Sequence, residues 1–319
     1  MKLRFPEVPL EGALYESVYS VLADPTGSRV LWVRTTVRKR AGEAASGAVW
    51  ATWFHQDGVR AGKVADLPVS ASADGITVGE VHQGLDGSTG AVALATLDAS
   101  WDVRFSATSP PLDHLAPAAL YRAPVPRTKA TSPIPALVAS GAVTIGGATF
   151  DVRGWTGMLG HNWGREHAAR WVWVRAAGLG DNGAGWLDAV LGRVRIAGVL
   201  TPWTAFGALE LDGRRLHLGG LVRRGTTVDV HPDGAALVMT GKELAVRVRA
   251  TVDPRRAVGW EYADPSGRRH EVVNSSVAGM ELDLDLAGRT RTLRPTNPGV
   301  LELGADQRAL DVPLQPFAD

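Results

Sequence analysis

Residues 170–193 read RWVWVRAAGLGDNGAGWLDAVLGR, and the fold class turns on how their glycines are taken. Gly178, Gly180 and Gly183 have the spacing of a dinucleotide-binding fingerprint. That loop works only when a helix follows and turns its N-terminus toward a pyrophosphate. Here the following AGWLDAVLG alternates with a period of two, as RWVWVRA does before it. The stretch is therefore expected to be a β-hairpin turning at Asp181-Asn182-Gly183, and the chain to be all-β.

The same period recurs on both sides. Arg29–Arg38, Gly47–His55, Ile76–His82, Ala91–Leu97 and Trp101–Ser106 read as strands. Asp24-Pro25-Thr26-Gly27, Gly146-Gly147, Asp212-Gly213, Asp264-Pro265-Ser266-Gly267 and Ala287-Gly288 read as the tight connections of antiparallel neighbours. From Thr204 onward the strands shorten into hairpins. In MELDLDL, Met280, Leu282, Leu284 and Leu286 alternate with acidic residues, so one face is buried and the other wet. Tyr121–Pro135 lacks periodicity and is expected to cross the surface or a barrel mouth. At most one helical turn is expected, at Leu115–Leu120. Strand spacing of roughly 8–12 residues fits closed or nearly closed barrels. Two antiparallel β-domains are expected, residues 1–200 and 201–319.

Composition narrows the function. The 319 residues carry 34 basic and 33 acidic side chains, a net charge of +1, mixed along the chain. No nucleic-acid partner is implied. Zero cysteines exclude disulfides, thiolate catalysis and zinc ribbons. No run is apolar enough for a spanning helix and MKLRFPEVPLEG is no signal peptide, so a cytoplasmic protein without an integral membrane segment is expected.

The chemistry-bearing residues concentrate in residues 160–188, where His161, Trp163, His167, Trp171, Trp173, Trp186 and Asp188 fall close together. Indoles build either a core or a flat apolar ligand wall. In extended backbone His161 and Trp163 share a side, as do Trp171, Trp173 and Arg175, and again Trp186, Asp188 and Val190. The plain alternative is a packed core in which His161 and Asp188 are merely hydrogen-bonded. A metal reading of His161, Glu166 and His167 fails on spacing, and a solvated turn at Arg165-Glu166-His167 is favoured. No Gly-x-Ser-x-Gly elbow supports serine catalysis. Arg175 inside an apolar barrel would need a partner.

Gly160-His161-Asn162-Trp163-Gly164, the strand Trp171–Arg175, Trp186-Leu187-Asp188, Tyr15-Glu16-Ser17-Val18-Tyr19 and Trp50–Lys63 together resemble the tandem-lipocalin group. That group includes the carotenoid 1,2-hydratases, AttH-like proteins, tocopherol cyclases and lipocalin-like Diels–Alderases. The resemblance implies two calycin-like β-barrels side by side and an apolar pocket for isoprenoid, terpenoid or polyketide chains. His161 and Trp163 match the hydratases' His-x-Trp pair. Trp186 and Asp188 match their later Tyr-x-Asp pair only if Trp replaces Tyr.

The functional expectation is an enzyme, free of metal and organic cofactor, that hydrates or cyclises an apolar substrate. Asp188, its pKa raised by an apolar setting, is expected to donate the proton with His161 as partner. Trp163, Trp171, Trp173, Trp186 and Arg175 are expected to bind the substrate. The alternative is a non-catalytic carrier for a hydrophobic metabolite.

Overall fold

The computed structural model describes residues 1–221, 223–286, 288–305 and 310–317. Apart from short 3-10 turns at Phe5–Glu7, Ala118–Tyr121 and Pro254–Arg256, its regular elements are antiparallel strands. The chain is all-β, and no helix among the described residues is long and apolar enough to cross a membrane.

Two large sheets hold nearly all the strands. The first is built on β1 (Leu14–Ala23), β2 (Val30–Lys39), β3 (Ser46–His55), β4 (Gly58–Leu67), β5 (Asp98–Ala107), β6 (Thr128–Ile145) and β7 (Trp155–Gly164). Across it the order is β4-β3-β2-β1-β7-β6-β5, with shorter strands completing it. The second is built on β8 (Arg170–Leu179), β9 (Gly185–Arg193), β10 (Thr204–Leu211), β11 (Arg214–Gly219), β12 (Leu244–Thr251), β13 (Val258–Ala263), β14 (Arg269–Leu286) and β15 (Gly299–Ala305). Its order is β11-β10-β9-β8-β15-β14-β12, and β13 pairs with β14. In both halves four hairpin-linked strands join, through the first of them, to the half's last long strand. That strand in turn pairs with an 18-residue strand, β6 or β14. The architecture repeats although no sequence repeat is visible.

The change of sheet falls between Gly164 and Arg170. Strands β8 and β9, expected in the first unit, are hydrogen-bonded into the second sheet through β15 and β10. The sequence boundary near residue 201 tracked a shortening of hairpins, which is not a change of sheet. Two further expectations shift. Ile76–His82 is two short strands, Gly75–Val78 and Val81–Gly84, because Gly79 turns with φ +58. Thr128–Pro135, expected as a crossing loop, begins β6. Pro133 and Pro135 fall within the register shifts between Thr131, Ile134 and Leu137, where a missing N–H breaks no ladder bond. Of the expected Ala287-Gly288 turn, Ala287 lies outside the described residues.

Each sheet curls into a near-barrel around its own apolar core. Val18, Leu22, Leu31 and Val33 face the first core, and Val172, Val174, Leu187 and Leu191 the second. Gln83, on a short strand beyond β5, helps to close the first. Its Nε2 donates to the Val18 carbonyl at 2.9 Å, and its Oε1 accepts from Ser20 Oγ at 3.0 Å. Strand β1 is nonetheless buried along its whole length on both faces. Its other face, with those of β2, β3 and β8, packs across a seam between the sheets made of Tyr19, Trp32, Trp50, Trp173 and Trp260. Trp50 meets Trp260 edge-on at 5.0 Å and Tyr262 at 5.5 Å. Each such pair adds about 0.5–1.5 kcal/mol beyond area burial.

Two glycines make room for seam aromatics. Tyr19 lies directly opposite Gly160 on β7, and Trp171 opposite Gly304 on β15. A Cβ on Gly160 would come within 2.2 Å of the Tyr19 ring, and one on Gly304 within 2.0 Å of the Trp171 indole. We therefore expect Gly160→Ala and Gly304→Ala each to destabilise the protein by about 1–3 kcal/mol in denaturant unfolding, by forcing the rings off their seats. Gly192→Ala, whose Cβ would meet nothing nearer than 3.7 Å, is expected to be tolerated.

Candidate active site

The period-two alternation that fills each barrel sends the opposite residues to the seam. From the first sheet these are Tyr15 and Tyr19 on β1, Trp32 and Arg34 on β2, and Asn162 on β7. From the second come Trp171 and Trp173 on β8, Val190 on β9, Phe206 on β10, Tyr262 on β13 and Glu302 on β15. Together with His114, His167 and neighbouring residues they line a largely apolar cavity of about 160 Å³. At its rim Val125 and Leu221 are exposed, at 41% and 58%.

The short connection from β7 to β8 brings His167 to this cavity. Its imidazole stacks on Tyr15 at 4.0 Å and lies 5.4 Å from the Trp171 ring. Asp264, at the head of the expected Asp-Pro-Ser-Gly turn, holds it. Asp264 Oδ1 accepts from both the His167 backbone N–H and Nδ1 at 2.7 Å, and its Oδ2 accepts from His270 Nε2 at 3.0 Å. Burial alone would raise the Asp264 pKa, but the hydrogen bonds from His167 and His270 outweigh it and hold the carboxyl well below the usual range. An ionised carboxylate accepts only, so the His167 proton sits on Nδ1. Burial also lowers the His167 pKa from its ordinary 6.5, partly offset by Asp264, and this favours the neutral ring with a lone pair on Nε2.

Other polar groups of the wall are firmly tied. Glu302 accepts from Trp171 Nε1 at 3.1 Å, Tyr262 Oη at 3.1 Å and Asn274 Nδ2 at 3.2 Å. Tyr15 Oη donates to Thr128 Oγ1 at 2.8 Å. Burial pushes the hydroxyls of Tyr15, Tyr19 and Tyr262 upward, so all three stay protonated. Ligand atoms of His167, Asp264 and His270 lie within 4.8 Å of one another, a set able to hold a metal, although here the imidazoles are hydrogen-bonded to the carboxylate.

The residues singled out in the sequence fall in different places. Trp171 and Trp173 line the cavity. Asp188 stands behind Trp173, fully buried, and accepts from Trp173 Nε1 at 2.9 Å and Ser132 Oγ at 2.5 Å, with His114 Nε2 at 3.4 Å. Burial pushes its pKa up, but the nearby His114 imidazole and the hydrogen bonds from Ser132 and Trp173 bring it down to about 2. The expected raised pKa is thus reversed: Asp188 is an ionised acceptor with no proton to donate. Arg175 lies opposite Asp188 in the ladder, yet donates to the carbonyls of Pro135 and Gly157 at 2.9 and 3.0 Å, backbone at and beside the β6 bulge. Trp186 is buried beneath Arg215 beside Leu112 and Ala208, away from the cavity.

His161 and Trp163 face the other way. The residue between them, Asn162, lines the cavity, so alternation turns both into the first barrel. His161 Nε2 bonds Glu16 Oε1 at 2.7 Å, and Glu16 also accepts the backbone N–H groups of Arg4 and Phe5. Trp163 stacks on His161 and Tyr121 beneath the Arg4 guanidinium. The pair ties the N-terminal segment to the barrel. His167 was missed for the opposite reason: the segment Arg165-Glu166-His167 reads as solvated, and only Asp264, 97 residues away, makes its imidazole part of a buried pair.

No family model matches the chain. Its sequence is 28% identical over 285 residues to the uncharacterized protein Rv0493c of Mycobacterium tuberculosis, covering 85% of this chain and 80% of the relative. The fold is similar to that of an AttH-like protein of Nitrosomonas europaea (TM-score 0.53, 15% identity, 97% of this chain and 98% of that one). It is also similar to CghA in complex with Sch210972 (TM-score 0.57, 14% identity, 93% and 90%). Kievitone hydratase of Nectria haematococca is a third structural neighbour (TM-score 0.53, 9% identity, 96% and 92%). These neighbours match the tandem-lipocalin, AttH-like group that the sequence resembles.

The Asp188 network has a measurable signature. Its folded pKa of about 2 against the ordinary 3.8 corresponds to about 2 kcal/mol of stability. Because the folded pKa is depressed, that contribution is full above pH 4 and disappears as pH falls toward 2. We expect Asp188→Asn to be less stable than wild type by this amount at neutral pH, and the gap to close between pH 4 and pH 2 in equilibrium unfolding.

Proposed function

We propose that this protein is an enzyme that hydrates or cyclises an apolar small molecule at a carbon–carbon double bond in the cavity between its two sheets. The observation that carries the reading is His167, a buried imidazole on a largely apolar wall with Nδ1 anchored on ionised Asp264. A neutral imidazole oriented in this way is a general base whose conjugate acid the carboxylate stabilises. On an alkene conjugated to a carbonyl, which takes up the displaced π electron pair, His167 takes the proton of the adding hydroxyl, from water or from the substrate itself, as the new C–O bond forms. The imidazolium then returns a proton to the other alkene carbon, and Asp264 holds it in place meanwhile.

The apolar walls, with Trp171 and Trp173 among them, orient the substrate and exclude water. A cavity of about 160 Å³ is close to the roughly 150 Å³ that accommodates a benzene ring. A ring-sized part of the substrate therefore fills it, and a longer isoprenoid or polyketide chain would extend past Val125 and Leu221. Among the structural neighbours, one is named a hydratase and one is solved with a small molecule, which supports an enzyme of this fold.

The test is product analysis with a panel of ring-bearing alkenes, read by mass spectrometry as gain of water or as an isomer of unchanged mass. His167→Gln and Asp264→Asn are expected to lower turnover by about 10²–10⁴-fold while ligand binding, read from quenching of tryptophan fluorescence, stays within a few fold. Binding without turnover by wild type would leave a carrier. A second measurement is the pH profile of turnover. The base must be neutral and its pKa lies below 6.5, so activity is expected to be level above pH 7 and to fall only on acidification below 6.5.

A further inference from the structure

Buried polar atoms without partners are uncommon, because each forfeits its hydration without recovering a hydrogen bond. Three residues on one wall of the cavity carry such atoms: Trp32 at Nε1, Arg34 at Nη1 and Asn162 at Oδ1. Trp32 and Arg34 are two residues apart on β2 and project to the same side. Ser17 on β1 links Arg34 to Asn162: its Oγ accepts from Arg34 Nε at 2.8 Å, and its cross-strand partner on β7 is Asn162.

Arg34 is the costly member. It is 5% exposed, lies with its guanidinium carbon 3.9 Å from the Tyr262 ring centroid, and forms no ion pair among the described residues. An arginine does not neutralise itself by losing its proton when buried. Ring faces, the Ser17 hydroxyl and the Tyr262 hydroxyl replace only part of the lost hydration, and an anion is the natural complement to what remains. A guanidinium is also the planar fork that fits a carboxylate or an equivalent oxyanion.

We infer that Arg34 and Trp32 form an oxyanion subsite, so that the ligand of this cavity is an organic acid: a ring-sized apolar body bearing a carboxylate or similar oxyanion. Its oxygens accept from the Arg34 guanidinium and from Trp32 Nε1–H, while the ring occupies the space toward Trp171 and Trp173. The inference names the substrate class for the reading above and rests on it only for the location of the site. It also sets direction: with the charged end held on the first sheet, the apolar end is presented to Trp171 and Trp173 on the second sheet.

The probes are benzoate and benzyl alcohol, similar in size and differing in charge, titrated calorimetrically into the full chain. Wild type is expected to bind benzoate at least tenfold more tightly than benzyl alcohol. Arg34→Met is expected to weaken benzoate at least tenfold and to leave benzyl alcohol within about twofold. Because Arg34 packs at the seam and its loss can unfold the chain, Asn162→Asp is the second variant. It keeps the side chain's shape, supplies an internal anion across Ser17 from the guanidinium, and is expected to displace benzoate to the same extent. Benzoate binding no tighter than benzyl alcohol in wild type, or undiminished in folded Arg34→Met or in Asn162→Asp, overturns the inference. His167→Gln separates the two proposals: benzoate affinity is expected to survive it, so absence of turnover would remove the catalytic reading and leave the oxyanion subsite standing.

Discussion

Burial of the central strands on both faces is the constraint from which the rest of this molecule follows. Strands β1 and β8 each give one face to their own barrel and the other to the opposite sheet. A barrel strand facing water can alternate apolar and polar residues freely. A strand buried twice must satisfy every polar side chain it carries. The aromatic seam is one answer to that demand, since indoles and phenols bring large apolar area and a single polar handle. Tyr262 and Trp171 use theirs on Glu302, and Trp173 uses its own on Asp188. The cavity is where the two curved faces fail to meet, and it inherits the polar handles that neither sheet satisfies.

Three buried carboxylates in contact with imidazoles show how one pair of residue types does different work in different surroundings. Glu16 and His161 lie inside the first barrel and secure the N-terminal segment. Asp188 collects donors from both halves, Ser132 from β6 and Trp173 from β8, and so ties the sheets together behind the cavity. Asp264 aligns His167 at the cavity wall. Burial would make Asp188 and Asp264 hard to ionise. For Asp188 and Asp264 the donors around them decide the matter, and low dielectric then strengthens those bonds. An apolar setting read from neighbouring tryptophans is thus a poor guide to a carboxyl's protonation when an indole N–H is itself one of the donors.

Much of the fold was legible in local pattern. The hairpin at residues 170–193, the hairpins after Thr204 and the sidedness of Trp171, Trp173 and Arg175 all follow from period two and turn chemistry. The sheet boundary was not, because a strand's sequence does not say which neighbour it pairs with: β8 follows β7 in the chain yet joins β15. The site was legible in part. Trp171 and Trp173 stood out by their type and lie at the cavity. His161 and Trp163 stood out equally and lie on the far face of their own sheet. Arg34, Tyr262 and Glu302 had no local signature, since nothing in their segments distinguishes a seam residue from a core residue.

By itself the sequence determined the class of backbone structure and which side chains share a face, because both are set by steric periodicity within a few residues. The tertiary structure alone decided which of those faces meets the other sheet, which imidazole finds a carboxylate, and which guanidinium is left looking into a hollow. Those outcomes depend on contacts between segments as far apart as His167 and Asp264. The free energy of such a contact depends on burial and partner geometry, and these exist only once both sheets have closed on each other.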